Sequence, residues 1–385
     1  MNPINTNQPP RPELCERLLS LDVLRGLDML LISGLGGLLA ALGTALWGEG
    51  NWLSVQMGHV RWEGLRFFDT LFPFFLFLSG ATFPFSYANQ IRRGRTGIQI
   101  HLKLILRAAI LFLLGLSLGG LFSGDPHFRI PSVLGRIGLA WMLAALAYIH
   151  IPSATQKVLL AAAVLAGYYL LIRLVPAPDR FTFSAIPEEV GVFTRCGNII
   201  GWLDRTLMPN HIWSCTRHFD PESLFSTLPA AVTALLGMFA GDLLRDGSRP
   251  PERRALALVG GGILLLAAGW AFAQIMPVNK SLWSSSFVLL TGGGSYLLLA
   301  AVWYLVDVRQ VRGWTMPLQV IGVNSIAVYL STFLFGFEKA ANFFCSGLVR
   351  ACGPEWGTVV WHAGYLAVLW LVFRFLYRHN AIIKI

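Results

Sequence analysis

Apolar runs long enough to cross a bilayer recur from Leu21 almost to the C-terminus, separated mostly by short polar loops. A helix rises about 1.5 Å per residue, so a run of about twenty apolar residues spans the roughly 30 Å hydrocarbon core. The pattern predicts helices over 21–46, 66–90, 99–122, 131–150, 156–175, 225–245, 254–275, 282–306, 315–337 and 358–377. The expected fold class is therefore all-α, a polytopic membrane helix bundle with about 10 transmembrane helices. A polar, proline-bearing segment, 1–20, precedes a single transmembrane domain, 21–385, and 176–224 forms its one long loop.

Composition agrees with that pattern. Of 385 residues 55% are apolar and only 13% charged, about half the charged share of a soluble domain. The net charge of +10 raises the question of nucleic acid. The basic residues lie in short loops without interleaved aromatics, which speaks against a nucleic-acid surface. Arg92, Arg93 and Arg95 follow the second helix, Arg245, Arg249, Arg253 and Arg254 the sixth, and Arg309 and Arg312 the eighth. Loops 123–130 and 276–281 carry one basic residue each. Because basic loops stay in the cytoplasm, both termini are expected inside and 176–224 outside. Segment 1–20 has no apolar core or small-residue cleavage site, so the first span is expected to serve as a signal anchor. Cys196, Cys215, Cys345 and Cys352 fall outside and Cys15 inside. Local disulfides 196–215 and 345–352 are one expectation and unpaired thiols the other. Gly260–Gly262 and Gly292–Gly294 lie within helices, where small residues allow close helix approach and no strand precedes to make a phosphate loop.

Ionisable residues inside spans are costly in lipid and so are candidates for function. Asp22 and Arg25, spaced i,i+3, pair on one face of the first helix, and Asp28 lies deeper, needing a partner from elsewhere. His59 precedes the second helix and Asp69 lies about a turn inside it. A histidine can take a proton near neutrality, and a carboxylate behind it can fix its tautomer. Arg129 and Arg136 flank the start of the fourth helix, Lys280 sits in the 277–283 hairpin, and Asn324 lies within the ninth helix. Asp220-Pro221-Glu222-Ser223 reads as a cap on the sixth helix. No metal-ligand spacing stands out.

Several stretches, in order, resemble the heparan-α-glucosaminide N-acetyltransferase family of transmembrane acyltransferases, especially its shorter bacterial members. They are Ser20–Gly26 (SLDVLRG), Gly58–Asp69 (GHVRWEGLRFFD), Phe72–Gly80 (FPFFLFLSG), Arg129–Gly138 (RIPSVLGRIG), Asp220–Glu222 (DPE) with Leu236–Gly241 (LGMFAG), Pro277–Trp283 (PVNKSLW) and Gly322–Tyr329 (GVNSIAVY). The resemblance implies transfer of acetyl from cytoplasmic acetyl-CoA to a glucosamine amine across the membrane, in a bacterial inner membrane. It places the family's catalytic histidine on His59 and its following aspartate on Asp69. Asn279, Lys280, Trp283 and Asn324 become candidates for substrate or oxyanion contacts, and Asp22, Arg25, Asp28, Arg129 and Arg136 for cofactor binding. The donor is acetyl-CoA, with no metal; the partners are an amino sugar and the lipid bilayer, with a homodimer left open and nucleic acid excluded. Where the family carries a polar residue late in the first helix, this chain has Gly36, with Ser33 or Asp28 as substitutes.

The chemistry suits such a site. CoA is anionic and stays near the basic inner loops while its arm reaches outward, and His59 relieves the attacking amine of its proton, as general base or as transient acetyl carrier. Trp62 and Trp283 either stack on a sugar or belong to the interfacial belt. A small-molecule transporter and an O-acyltransferase acting on an envelope polysaccharide are the competing readings. The transporter would usually carry internal repeats, and none is evident.

Overall fold

The computed structural model describes residues 18–124, 126–183, 190–213 and 218–382. The spans are α1 (Leu19–Trp47), α3 (Phe67–Arg92), α4 (Gly97–Leu118), α5 (Val133–His150), α6 (Ala154–Leu174), α8 (Thr227–Arg245), α9 (Pro251–Ala273), α10 (Ser285–Val308) and α14 (Gly353–Arg378). Between them lie α2 (Trp52–Gln56), α7 (Ile199–Leu207), α11 (Met316–Gly322), α12 (Ser325–Leu334) and α13 (Phe337–Ala351). Among the described residues nine helices are long and apolar enough to cross a membrane, or ten if α11 and α12 form one span. The expected helical bundle is what the chain builds.

At its centre stands α3, whose stretch Leu71–Ala81 is buried at every residue. It lies against α8 at a distance only glycines permit. A Cβ on Gly80 would sit 2.0 Å from the carbonyl oxygen of Ala234, and one on Gly237 2.0 Å from that of Phe77. In lipid, where apolar burial gives little drive to association, such close backbone packing holds helices together. The glycine runs expected to do this at α9 and α10 do so through Gly262 and Gly293, each of whose Cβ positions would crowd the other's carbonyl.

The loops sort into two ends. At one, the Gly64 N–H donates to the Val278 carbonyl, 2.8 Å, and the Ile130 N–H to the His211 carbonyl, 2.9 Å. At the other, which carries residue 18 and the α14 C-terminus, Asp307 at the end of α10 accepts from the N–H groups of Leu19 and Ser20, both at 3.1 Å. That carboxylate satisfies donors left open at the start of α1 and complements its dipole.

Three expectations need correction. The helix foreseen over 315–337 is broken, with α11 and α12 meeting at 71° around Val323 and Asn324. The segment after it is not a loop but α13, whose Phe337 and Ala341 are buried while Phe343, Phe344 and Leu348 are exposed. Its polar positions Glu338, Lys339, Asn342 and Arg350 disguise it in a search for uniform apolar runs. The disulfide 345–352 is absent, since both cysteines are free. Seven residues along a helix separate them by roughly 10 Å, beyond the about 7 Å limit on Cα separation for a bridge. Cys196 is buried; its expected partner Cys215, like Cys15, lies outside the described residues. Helix α1 also bends through a π-helical turn, Leu31–Leu35, where Gly34 adopts φ 151°.

Candidate active site

His59 is held by the first turn of the helix that follows it. Asp69 is the third residue of α3, and its Oδ2 reaches back to accept from the Arg66 N–H, 3.2 Å, and the Val60 N–H, 3.3 Å. Its Oδ1 lies 2.7 Å from Nδ1 of His59. A carboxylate only accepts, so this contact puts the proton on Nδ1 and leaves the lone pair on Nε2. Asp69 is wholly buried and the His59 side chain 53% exposed. The carboxylate is therefore fixed and satisfied while the imidazole stays accessible. Arg66 Nη1 donates to the His59 carbonyl, 2.9 Å, and the Phe68 ring tilts against the imidazole, with centroids 5.1 Å apart.

Lys280 arrives from the α9–α10 hairpin. Its Nζ is 3.1 Å from His59 Nδ1 and 3.5 Å from Asp69 Oδ1. With Nδ1 donating to Asp69, the ammonium pairs with the carboxylate. Burial holds it below the usual lysine range, and Asp69 and Glu222 pull the other way. The hairpin is wound tightly: Asn279 Oδ1 accepts from the Leu282 N–H, 2.9 Å, and Trp283 adopts a left-handed φ of 50°. Asn279 itself is buried, and among the described residues its amide nitrogen has no hydrogen-bond partner. Trp283, considered for sugar stacking, is instead entirely buried, donating to Thr233 Oγ1 at 3.1 Å and packing edge-on against Phe72. Trp62 donates to the Phe193 carbonyl, 2.8 Å.

Arg129 and Arg136 belong to this same end. Arg129 Nε donates to Asp220 Oδ2, 2.8 Å, and its Nη2 pairs with both Asp220 and Glu222. Burial works to lower the Arg129 guanidinium, but the two carboxylates more than reverse it and keep it charged. Arg136 donates to the Pro221 carbonyl, 2.9 Å, and to Ser226 Oγ, 2.5 Å, and its guanidinium lies 4.9 Å from the Trp283 ring centroid. Both arginines, expected to bind cofactor or, for Arg136, to serve an oxyanion, are engaged by the Asp220–Ser226 turn. The cap expected on α8 differs too, because Asp220 serves Arg129, the Glu222 N–H and the Trp213 N–H, and Ser226 makes no side-chain cap.

Two cavities lie inside the bundle and share part of their walls. One of about 240 Å³ is lined by His59, Lys280, Glu222 and Tyr329 among apolar side chains. The other, about 570 Å³, lies toward the opposite end and includes Asp22, Arg25, Asn89, Gln90, Lys103 and Arg107. Phe75 and Ile326 line both. Asp22 and Arg25 form the expected i,i+3 pair, at 3.7 Å, and Arg25 Nη2 donates to Thr82 Oγ1, 2.7 Å. The Arg107 guanidinium stacks 4.1 Å from the Trp141 ring centroid. Among the described residues its Nε and the Gln90 Oε1 are buried without hydrogen-bond partners.

Other expected residues lie apart. Asp28 is fully buried, neither of its oxygens is hydrogen-bonded among the described residues, and it lines neither cavity. Asn324 sits at the break between α11 and α12 and donates to the Ala381 carbonyl, 3.2 Å, in the C-terminal tail rather than facing His59. A side chain at Gly36 would meet the Phe68 ring, 2.5 Å from its Cβ; here that ring fills the place of a polar group, and neither Ser33 nor Asp28 joins the His59 cavity. Sequence reasoning missed Lys103, Arg107, Glu222 and Tyr329. The first two carried a legible signal, as cations within an apolar run.

No protein-family model matches the chain. Among curated proteins it is 27% identical over 376 residues to the heparan-alpha-glucosaminide N-acetyltransferase of Homo sapiens, which covers 85% of this chain and 54% of the human protein. It is 26% identical over 392 residues to the Mus musculus protein of the same name, 89% of this chain and 57% of that protein. The chain thus spans just over half the length of the curated relatives it matches. Over nearly its whole length, this helical membrane protein is similar to the heparan-alpha-glucosaminide N-acetyltransferases, in keeping with the family its motifs resemble.

Proposed function

We propose that the protein transfers acetyl from acetyl-CoA, bound from the cytoplasm, to the amine of a glucosamine-type sugar on the far side. The observation that carries this reading is that Phe75 and Ile326 line both cavities, with His59 in the smaller and a cationic lining in the larger. The basic loops after α3, α8 and α10 favour the cytoplasm for the end that holds the larger cavity. Arg25, Lys103 and Arg107 supply charge for the CoA phosphates, and Gln90 lines the same chamber. The volume of about 570 Å³ falls within the roughly 300–1,000 Å³ usual for small-molecule sites.

The acetyl thioester then reaches past Phe75 and Ile326 toward His59. Nε2 takes a proton from the amine, and the nitrogen attacks the thioester carbon. Asp69 stabilises the imidazolium through Nδ1–H. Lys280, on the same cavity, supplies positive charge for the oxyanion, an interaction strengthened where water is excluded. Only the acetyl group changes sides.

The test uses the purified chain in lipid nanodiscs with acetyl-labelled acetyl-CoA and glucosamine. Label is expected on the sugar nitrogen and is lost in His59→Ala. Turnover undiminished in that variant overturns the role of His59, and label on glucose as readily as on glucosamine favours the O-acyltransferase reading.

A further inference from the structure

Among the described residues lining the His59 cavity, Glu222 is the one carboxylate. It lies on the Asp220–Glu222 turn, and that turn is rigidly built. The Glu222 N–H donates to Asp220 Oδ1, 2.8 Å, Arg129 grips both carboxylates, and Arg136 holds the Pro221 carbonyl, 2.9 Å. The carboxylate is thus presented in place before any ligand arrives, and little side-chain freedom remains to be lost on binding. Arg129 engages Oε2. A carboxylate offers about four lone-pair directions, so it retains capacity for a second donor. Apart from His59, Lys280 and Tyr329 the rest of the lining is apolar, including Met29, Ile32, Phe72 and Ile326, and attraction between opposite charges is stronger there than in water.

We infer that Glu222 recognises the acceptor's ammonium and so makes the site select an amino sugar over its hydroxyl counterpart. The inference rests on the acetyl-transfer reading and extends it to acceptor choice. Two charged pairs then divide the work. Lys280 is matched to Asp69 behind His59, at 3.5 Å, and Glu222, matched to Arg129, faces the incoming cation. The ammonium binds against Glu222 and Tyr329 with one N–H directed at His59 Nε2. It gives up that proton, the C–N bond forms and the C–S bond breaks. The ammonium loses two protons in all: one passes through His59 to the departing thiolate sulfur, and the other goes to solvent. A hydroxyl acceptor carries no charge for Glu222 to hold and gains little from it.

The experiment compares the wild-type chain with Glu222→Gln, which keeps size and removes charge, measuring glucosamine binding by calorimetry and acetyl transfer with glucosamine varied. Loss of a charge-assisted contact is expected to weaken binding and raise KM for glucosamine roughly ten- to hundredfold, with kcat at saturation changed far less. Glu222→Asp should recover part of the loss. Unchanged glucosamine affinity in Glu222→Gln, or a fall in kcat with KM intact, overturns the inference. Should Glu222→Gln fail to fold because Arg129 loses a partner, the wild-type chain still decides: glucose competing as strongly as glucosamine overturns it, and at least about tenfold weaker competition supports it. If wild type binds glucosamine in a Glu222-dependent way but never acetylates it, the acetyl-transfer reading fails while the ammonium site stands.

Discussion

Phe75 of α3 and Ile326 of α12 each line both internal cavities, so these two side chains form a wall common to the cationic chamber and the His59 chamber. Ile326 comes into position because the span breaks just before it, turning α12 by 71° from α11. Phe75 is held by the fully buried stretch of α3.

Enlarging this partition should separate binding from transfer. Phe75→Trp adds bulk where a thioester has to pass, and a displacement of about 1 Å at a reacting centre can cost about a hundredfold in rate. We expect acetyl-CoA still to bind, measured by equilibrium dialysis, while label transfer falls about that far. Full transfer by this variant would show that the route lies elsewhere.

Asp69→Asn should act through His59 rather than by direct contact with substrate. The amide offers an N–H as readily as an oxygen, so the ring loses the partner that keeps its proton on Nδ1 and its lone pair on Nε2. Activity is expected to fall by about 10²–10⁴-fold, the usual worth of a positioned general base. Nitrogen-detected NMR of labelled histidine would report the tautomer, and an unchanged Nδ1–H form with lost activity would contradict this explanation.

Arg107→Gln addresses the donor end alone. Losing one charge-assisted contact to a phosphate should raise KM for acetyl-CoA roughly ten- to hundredfold and leave KM for the acceptor unaltered. The wild-type donor KM should also rise with salt, since chamber-mouth attraction is screened over about 10 Å at 0.1 M. A parallel rise in both KM values would place Arg107 in general stability instead.

Asp204, on α7, gives a pH signature. Burial pushes its carboxyl up to about 7, with the Ser223 hydroxyl, 2.8 Å away, pulling in the opposite direction. An unfolded aspartate titrates near about 3.9. Between those values the folded chain keeps a proton that the unfolded chain has released. Its contribution to stability therefore grows as pH falls from about 7 toward about 4 and is lost as pH rises through 7. Thermal unfolding of wild type minus Asp204→Asn, followed from pH 8 to 5, should show that trend, and a flat difference would remove it.

The sequence by itself determined the membrane class, the approximate limits of most spans and the pairing of Asp22 with Arg25. These follow from local facts: the length of an apolar run and the spacing of residues on one helix. It also pointed to His59 and Asp69, ten residues apart and folded together by a single helix start. Only the tertiary structure decided which distant polar groups share a chamber. Lys280 meets His59 across a separation of 221 positions, Arg129 and Arg136 turn to the Asp220–Ser226 segment, and Asn324 reaches the C-terminal tail. Periodicity gives the face of a helix that is polar. It carries no information about which helices pack together or where a span breaks, and those choices depend on close backbone contacts such as Gly80 with Ala234 that arise between segments far apart in the chain.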